Sequence, residues 1–208
     1  MKKALVAGIL GIALNVASSY GQGYIAFASY TLVNGGNTPV YSGVTYGAGS
    51  GALTGKYVGA AQGWKADLLF SLDGGATFTL EPGSQTPFYI NGGVPSQDGG
   101  SPTTDGAGVF AGPTLIIPGY TSGPVSFITE AYNGSSFGSS TFNGKSAVFT
   151  LSSLVTNPAL PPSTILDNND TTTINGMKSF TVAPVPEPSI FALAGLGAAG
   201  LMAFRRKK

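Results

Sequence analysis

The residues able to do chemistry are few in this 208-residue chain, and they are unevenly placed. There is no Cys and no His, which removes thiol nucleophiles, disulfides, Cys/His zinc sites, imidazole bases and His-ligated haem. Serine is plentiful, yet a Ser-His-Asp triad cannot form without histidine. The run Gly47-Ala48-Gly49-Ser50-Gly51 lacks the trailing Gly-Lys-Ser/Thr of a phosphate loop, and Gly55-Lys56 is followed by Tyr57. What remains is oxygen and ring chemistry. Asp167-Asn168-Asn169-Asp170, followed by three threonines, is an oxygen-rich loop, and Ca²⁺ takes about six to eight such ligands. It lacks the EF-hand spacing, and an Asx turn bonding its own backbone is the plainer reading. Asp73, Asp98, Asp105, Glu81 and Glu130 could supply a glycosidase pair, which needs two carboxylates roughly 5–9.5 Å apart. Each of those aspartates precedes a glycine, a turn signature first of all. Trp64, the single tryptophan, is the candidate carbohydrate contact, because an aromatic face stacks on the apolar face of a sugar ring. Packing in the core is its competing role. No cofactor or metal is expected.

The elements that would position these groups read as strands and turns. Residues 24–30 are aromatic and apolar. Residues 68–72 and 77–81 flank Asp73-Gly74-Gly75-Ala76, and an Asp-Gly pair between two β-prone runs signals a hairpin with a type I′ turn. Residues 114–117 end at Pro118-Gly119. Residues 125–132 alternate, and because Ile128 and Tyr132 share the otherwise polar face, this strand is expected to be covered on both sides. Residues 147–151 and 178–182 complete the set. Asn-Gly steps at Asn34, Asn91, Asn133, Asn143 and Asn175 mark turns. No stretch carries helical periodicity. With 32 glycines and 14 prolines, the body is expected to be all-β, an antiparallel sandwich or jelly roll. Long loops are expected over residues 34–63, 91–112 and 157–169.

Charge is concentrated at the two ends. Charged residues are only 9% of the chain, and six of the ten bases are Lys2, Lys3, Arg205, Arg206, Lys207 and Lys208. Between residues 22 and 184 four lysines stand against eight acids. Such a body lacks the clustered Lys/Arg that nucleic acid requires. Met1-Lys2-Lys3, an apolar run to Ala17 and small residues through Gly21 have the three-part layout of a signal peptide over residues 1–21. At the other end, residues 184–188 form a Pro-rich linker, residues 189–204 an apolar run, and residues 205–208 a basic terminus. As a helix the run would measure roughly 24 Å, short of a bilayer core of about 30 Å. Snorkelling of the basic residues would make up part of the deficit and keep them cytoplasmic.

Pro186-Glu187-Pro188 beside one apolar span and a terminal Arg205-Arg206-Lys207-Lys208 cluster resembles the PEP-CTERM sorting tail of exported bacterial proteins. The resemblance implies recognition of Pro186, Glu187, Pro188 and Arg205–Lys208 by an exosortase, a membrane protease/transpeptidase that cuts near the motif. It also links such tails to exopolysaccharide production. The body resembles that of short exported proteins of the same kind at residues 22–27, 66–70 and 144–150. The sequence thus leads to an exported body over residues 22–183 on a sorting segment over residues 184–208. Its expected role is a structural or interaction protein of the cell surface or extracellular matrix, without catalysis of its own. The polysaccharide is an expected partner, and the membrane a transient one. A carbohydrate-binding module on the same tail is the alternative, and a secreted carboxylate-dependent hydrolase a third reading.

Overall fold

A computed structural model describes residues 22–33, 38–59, 62–90, 106–168 and 172–186. The signal segment, the apolar run and the basic terminus lie outside them. Strand follows strand along the described chain: β1 Gly23–Ala28, β2 Tyr30–Val33, β3 Thr38–Tyr41, β4 Val44–Tyr46, β5 Trp64–Ser71 and β6 Thr79–Leu80. Then come β7 Thr86–Ile90, β8 Gly106–Ile117, β9 Val125–Asn133, β10 Phe142–Lys145, β11 Phe149–Leu151, β12 Ser163–Thr164 and β13 Phe180–Pro184. The helical elements described are three-residue 3₁₀ turns, such as Gly51–Leu53 and Phe137–Ser139. No helix among the described residues is long and apolar enough to cross a membrane.

The centre is the β5–β9 ladder, paired at every position from Trp64 opposite Asn133 to Ser71 opposite Ser126. Ala66, Leu68 and Phe70 meet Ala131, Thr129 and Phe127 on one face, which lines the core. Lys65, Asp67 and Leu69 meet Tyr132, Glu130 and Ile128 on the other. Both faces of β9 are covered, as the alternation of its residues leads one to expect. Phe127 is fully buried, and burying such a ring stabilises by about 1.5–3 kcal/mol.

From this centre one sheet of eleven strands spreads in the order β12-β1-β8-β7-β5-β9-β10-β13-β4, with β6 and β11 beside β5 and β9. The β1–β12 and β4–β13 pairings are parallel and the rest antiparallel. The body is therefore all-β, but one curled sheet rather than two facing ones. Register shifts at Ala26/Ala28 and Phe88/Ile90 bend β1, β7 and β8, as bulges do by adding local twist. The curl brings β4 back toward β8, and Val58 joins them. Its N–H donates to the Val44 carbonyl at 3.2 Å and its own carbonyl accepts from Gly108 N–H at 2.9 Å. Gly108 is obligatory there: its φ is +69°, and a Cβ would lie 2.2 Å from the Tyr57 ring. Inside the curl, Phe27, Trp64, Phe88, Phe110, Phe127 and Ile165 share one core. A β2–β3 hairpin stands apart as its own two-stranded sheet.

The expected loops are partly strand. Residues 34–63 include β3 and β4, β8 begins within residues 91–112, and β12 lies within residues 157–169. The turn after β5 is longer than the two-residue type I′ turn expected. Positive φ falls on Gly74 and Gly75, while Asp73 accepts from Ser71 Oγ and from the N–H groups of Ala76 and Thr77 at 3.1 and 3.0 Å. Asn143-Gly144 is no turn but the middle of β10. A Cβ on Gly144 would lie 2.3 Å from the Thr181 carbonyl, so glycine lets β13 approach.

Candidate functional site

The last described strand leads directly into the sorting segment. β13 lies between β10, with Phe142 opposite Pro184 and Asn143 opposite Ala183, and β4, with Val182 opposite Tyr46. One further backbone bond holds it: Val185 N–H donates to the Thr141 carbonyl at 2.9 Å. Pro186 follows, exposed and without an N–H to continue the ladder. Beside this exit is a groove of about 390 Å³, lined by Ser139, Ser140, Thr141, Phe142, Pro184 and Pro186. Of the expected sorting residues, the structure places Pro186. Glu187, Pro188, Arg205, Arg206, Lys207 and Lys208 lie outside the described residues.

A buried polar cluster secures the turn that walls this groove. Asp67 and Glu130 sit directly opposite one another on the outer face of β5–β9, 7% and 8% exposed. Like charges so placed repel, and each has its own partner. Tyr132 Oη donates to Asp67 Oδ2 at 2.7 Å and accepts from Gln85 Nε2 at 2.6 Å. Lys145 Nζ reaches Glu130 Oε1 at 2.7 Å and lies 4.8 Å above the Phe137 ring, which meets Tyr132 edge-on. Burial, then the Asp67 carboxylate, pushes the Tyr132 phenol up to about 12. Phe137 opens the Phe137–Ser139 turn, so the cluster fixes the groove's position.

The other candidate residues scatter. Trp64 is 1% exposed, its Nε1–H donating to Tyr46 Oη at 2.8 Å and its ring 5.4 Å from the Tyr46 ring. The expected sugar-stacking role for Trp64 is therefore corrected: it stands on the core face of β5, in line with Ala66, Leu68 and Phe70, and offers no face to solvent. Burial also raises the Tyr46 phenol above its ordinary value. Among the carboxylates, Asp73 is held at about 2 by Ser71 Oγ and the turn amides, and it serves its own turn. Glu81 is buried, which pushes its carboxyl above the usual range, and its Oε2 has no hydrogen-bond partner. Asp98 and Asp105 lie outside the described residues. The cross-strand pair that does meet is Asp67 with Glu130. Sequence reading did not single out Asp67; alternation placing it and Glu130 on one face of neighbouring strands was the available signal.

Of the oxygen-rich loop, Asp167 and Asn168 are described. Asn168 is buried and Asp167 has a φ of +46°. They line a cleft of about 480 Å³ with Ser152, Ser153, Ser163 and Thr164. Among the described residues no group of three acidic side chains is placed to hold a metal ion.

Taken together, the site is the C-terminal exit of an all-β body at an exposed Pro-rich junction, a class of architecture in which a processing signal follows a folded domain. Residues 184–207 match the family model of the PEP-CTERM protein-sorting motif, and the chain is a PEP-CTERM-containing protein. That motif implies export, sorting at the cell envelope, and processing by an exosortase with membrane association. No curated protein and no solved structure matches the chain.

Proposed function

We propose that this chain is a structural or interaction protein of the cell surface or extracellular matrix, delivered by its sorting tail and without catalysis of its own. The signal peptide starts export. The span over residues 189–204 then holds the body outside, with Arg205–Lys208 on the cytoplasmic side. An exosortase-type enzyme reads Pro186-Glu187-Pro188 and cuts near it, and the body goes on to an outer-surface polysaccharide. One observation carries the reading: the sorting motif starts at residue 184, the last residue of β13. The backbone bond at Val185 is the last before exposed Pro186. A protease needs extended, accessible backbone, and Pro186 with Pro188 favours that form. The test is the intact mass of the protein recovered from its host. A product that begins near Gln22 and ends near residues 186–189 supports the reading. A product retaining Arg205–Lys208 overturns it in favour of a plain membrane anchor.

A further inference from the structure

We propose that the outward face of the β2–β3 hairpin is a binding platform for the sugar rings of a neutral polysaccharide. It deepens the surface role above and rests on that reading for where the ligand is met; binding itself stands on the hairpin's geometry. Tyr30 and Tyr41 are directly opposed across the two strands, so they share one face with about 5 Å between their Cβ atoms. Tyr41 is 36% exposed, Tyr30 is half-buried, and Leu32, two residues on from Tyr30 on the same face, is 47% exposed. Neither phenol hydroxyl has a hydrogen-bond partner among the described residues. Two adjacent rings with free hydroxyls offer what a pyranose needs: an apolar surface for its C–H face and polar atoms for its hydroxyl rim.

The platform is pre-set. Its reverse face buries Val33 and Val40 against Leu166 and Ile174. At its base Ser42 N–H donates to the Ser29 carbonyl at 2.9 Å, and Ser42 Oγ donates to the Met177 carbonyl. Ser29 Oγ in turn accepts from Phe110 N–H at 3.0 Å. A face held this way loses little conformational freedom on binding. Charge selects the occupant. Residues 22–55 contain no Asp, Glu, Lys or Arg, so a polyanion, an anionic lipid headgroup or nucleic acid finds no counter-charge on these strands. A neutral glycan loses nothing by that absence. Tyr41, open to solvent beside half-buried Tyr30, also does what Trp64 cannot, since Trp64 faces the core.

The test is a depletion isotherm of the purified full chain in detergent on amorphous cellulose, curdlan and insoluble mannan, with alginate gel as the acidic comparison. Retention is expected on at least one neutral polymer and not on alginate. Replacing both tyrosines (Tyr30→Ala with Tyr41→Ala) is expected to weaken it about tenfold or more, as loss of two stacking contacts would. The Phe double variant is expected to stay near wild type. Emission from buried Trp64 reports whether each variant is folded. If the Ala pair does not fold, Tyr41→Thr alone decides, since threonine suits an exposed strand position. No retention on any neutral polymer, or retention unchanged in a folded variant, overturns the proposal. So does a dimer that Tyr41→Thr dissociates without any polymer binding, which would make this face a self-interface. A blank isotherm with normal C-terminal processing rejects the platform alone, whereas unprocessed protein that binds rejects the sorting reading alone.

Discussion

β13 and the segment it leads into are adjacent in sequence and governed by different physics. Up to Val185, every residue is fixed by where it sits: Val182 in the core, Ala183 and Pro184 against β10, Val185 on Thr141. From Pro186 onward, the sorting reading depends on which residues occur and in what order. Substitutions in the first region should therefore act through stability, and those in the second through recognition. A fold and its processing signal can then change independently, with β13 as the place where they meet.

The largest effect that would test this separation lies in the tail. Glu187→Ala, or deletion of Arg205–Lys208, is expected to leave unprocessed protein in the membrane. Stability of the body should change by less than about 0.5 kcal/mol, as for substitutions away from packed contacts. Intact mass and a thermal melt read the two quantities separately, and normal processing of both variants would refute the sorting role. Next comes Gly144→Ala. The new Cβ would meet the Thr181 carbonyl at 2.3 Å and Val182 Cα at 2.9 Å, neither of which is a flexible side-chain end. A loss of about 3 kcal/mol is expected, or roughly 6–12 °C in Tm for a protein of this size. Processing should survive at permissive temperature. If it fails while the body is folded, the separation breaks, and the position of β13 is part of the signal.

Two smaller effects sharpen what holds the body. Tyr132 stands at about 12 in the fold against about 10 in an unfolded chain. A raised value means that its share of stability is present below pH about 10 and is lost as pH rises toward about 12. A phenolate absorbance titration should show a late step that is lost in Tyr132→Phe, separate from the also raised phenol of buried Tyr46. All tyrosines titrating together would contradict the buried bond to Asp67. The Phe variant also leaves Asp67 opposite Glu130 without its donor, at about 1–2 kcal/mol near neutral pH. Glu81→Gln is expected to act in the opposite direction. The raised Glu81 carboxyl favours the fold while protonated and opposes it once ionised, so removing its charge should stabilise by about 1 kcal/mol at pH 7. Thermal melts should show that gain vanish below about pH 4, where the carboxyl is protonated in the unfolded chain as well; a gain that persists there would point to packing.

The sorting tail was legible because it is a linear signal: Pro186-Glu187-Pro188, an apolar run and a basic terminus can be read without a fold. β9 was legible for a related reason, since residues 125–132 alternate and the two-sided cover follows from Ile128 and Tyr132. Other parts depend on which strands become neighbours. β8 carries Gly106, Gly108, Gly112 and Pro113, residues that locally argue for loop, and it is a strand because β1 and β7 flank it. Gly144 sits in an Asn-Gly step yet serves close approach, not a turn. Trp64 looked like a ligand contact by type, and only its parity on β5 turns it inward. Tyr30 and Tyr41 become a pair only through the β2–β3 register, which sequence spacing across residues 34–37 does not fix.

The β4–β13 pairing also has a consequence in time. Gly43 N–H donates to Ser179 Oγ, 136 residues further on, and Val44 waits for Phe180. A chain emerging from its N-terminus presents β4 long before β13 exists, so that edge of the sheet stays unpaired until nearly the whole body has been delivered. Such distant contacts close slowly. The last strand to arrive is the one joined to the sorting motif, so the sheet closes only when the chain has been delivered up to the point where that motif begins.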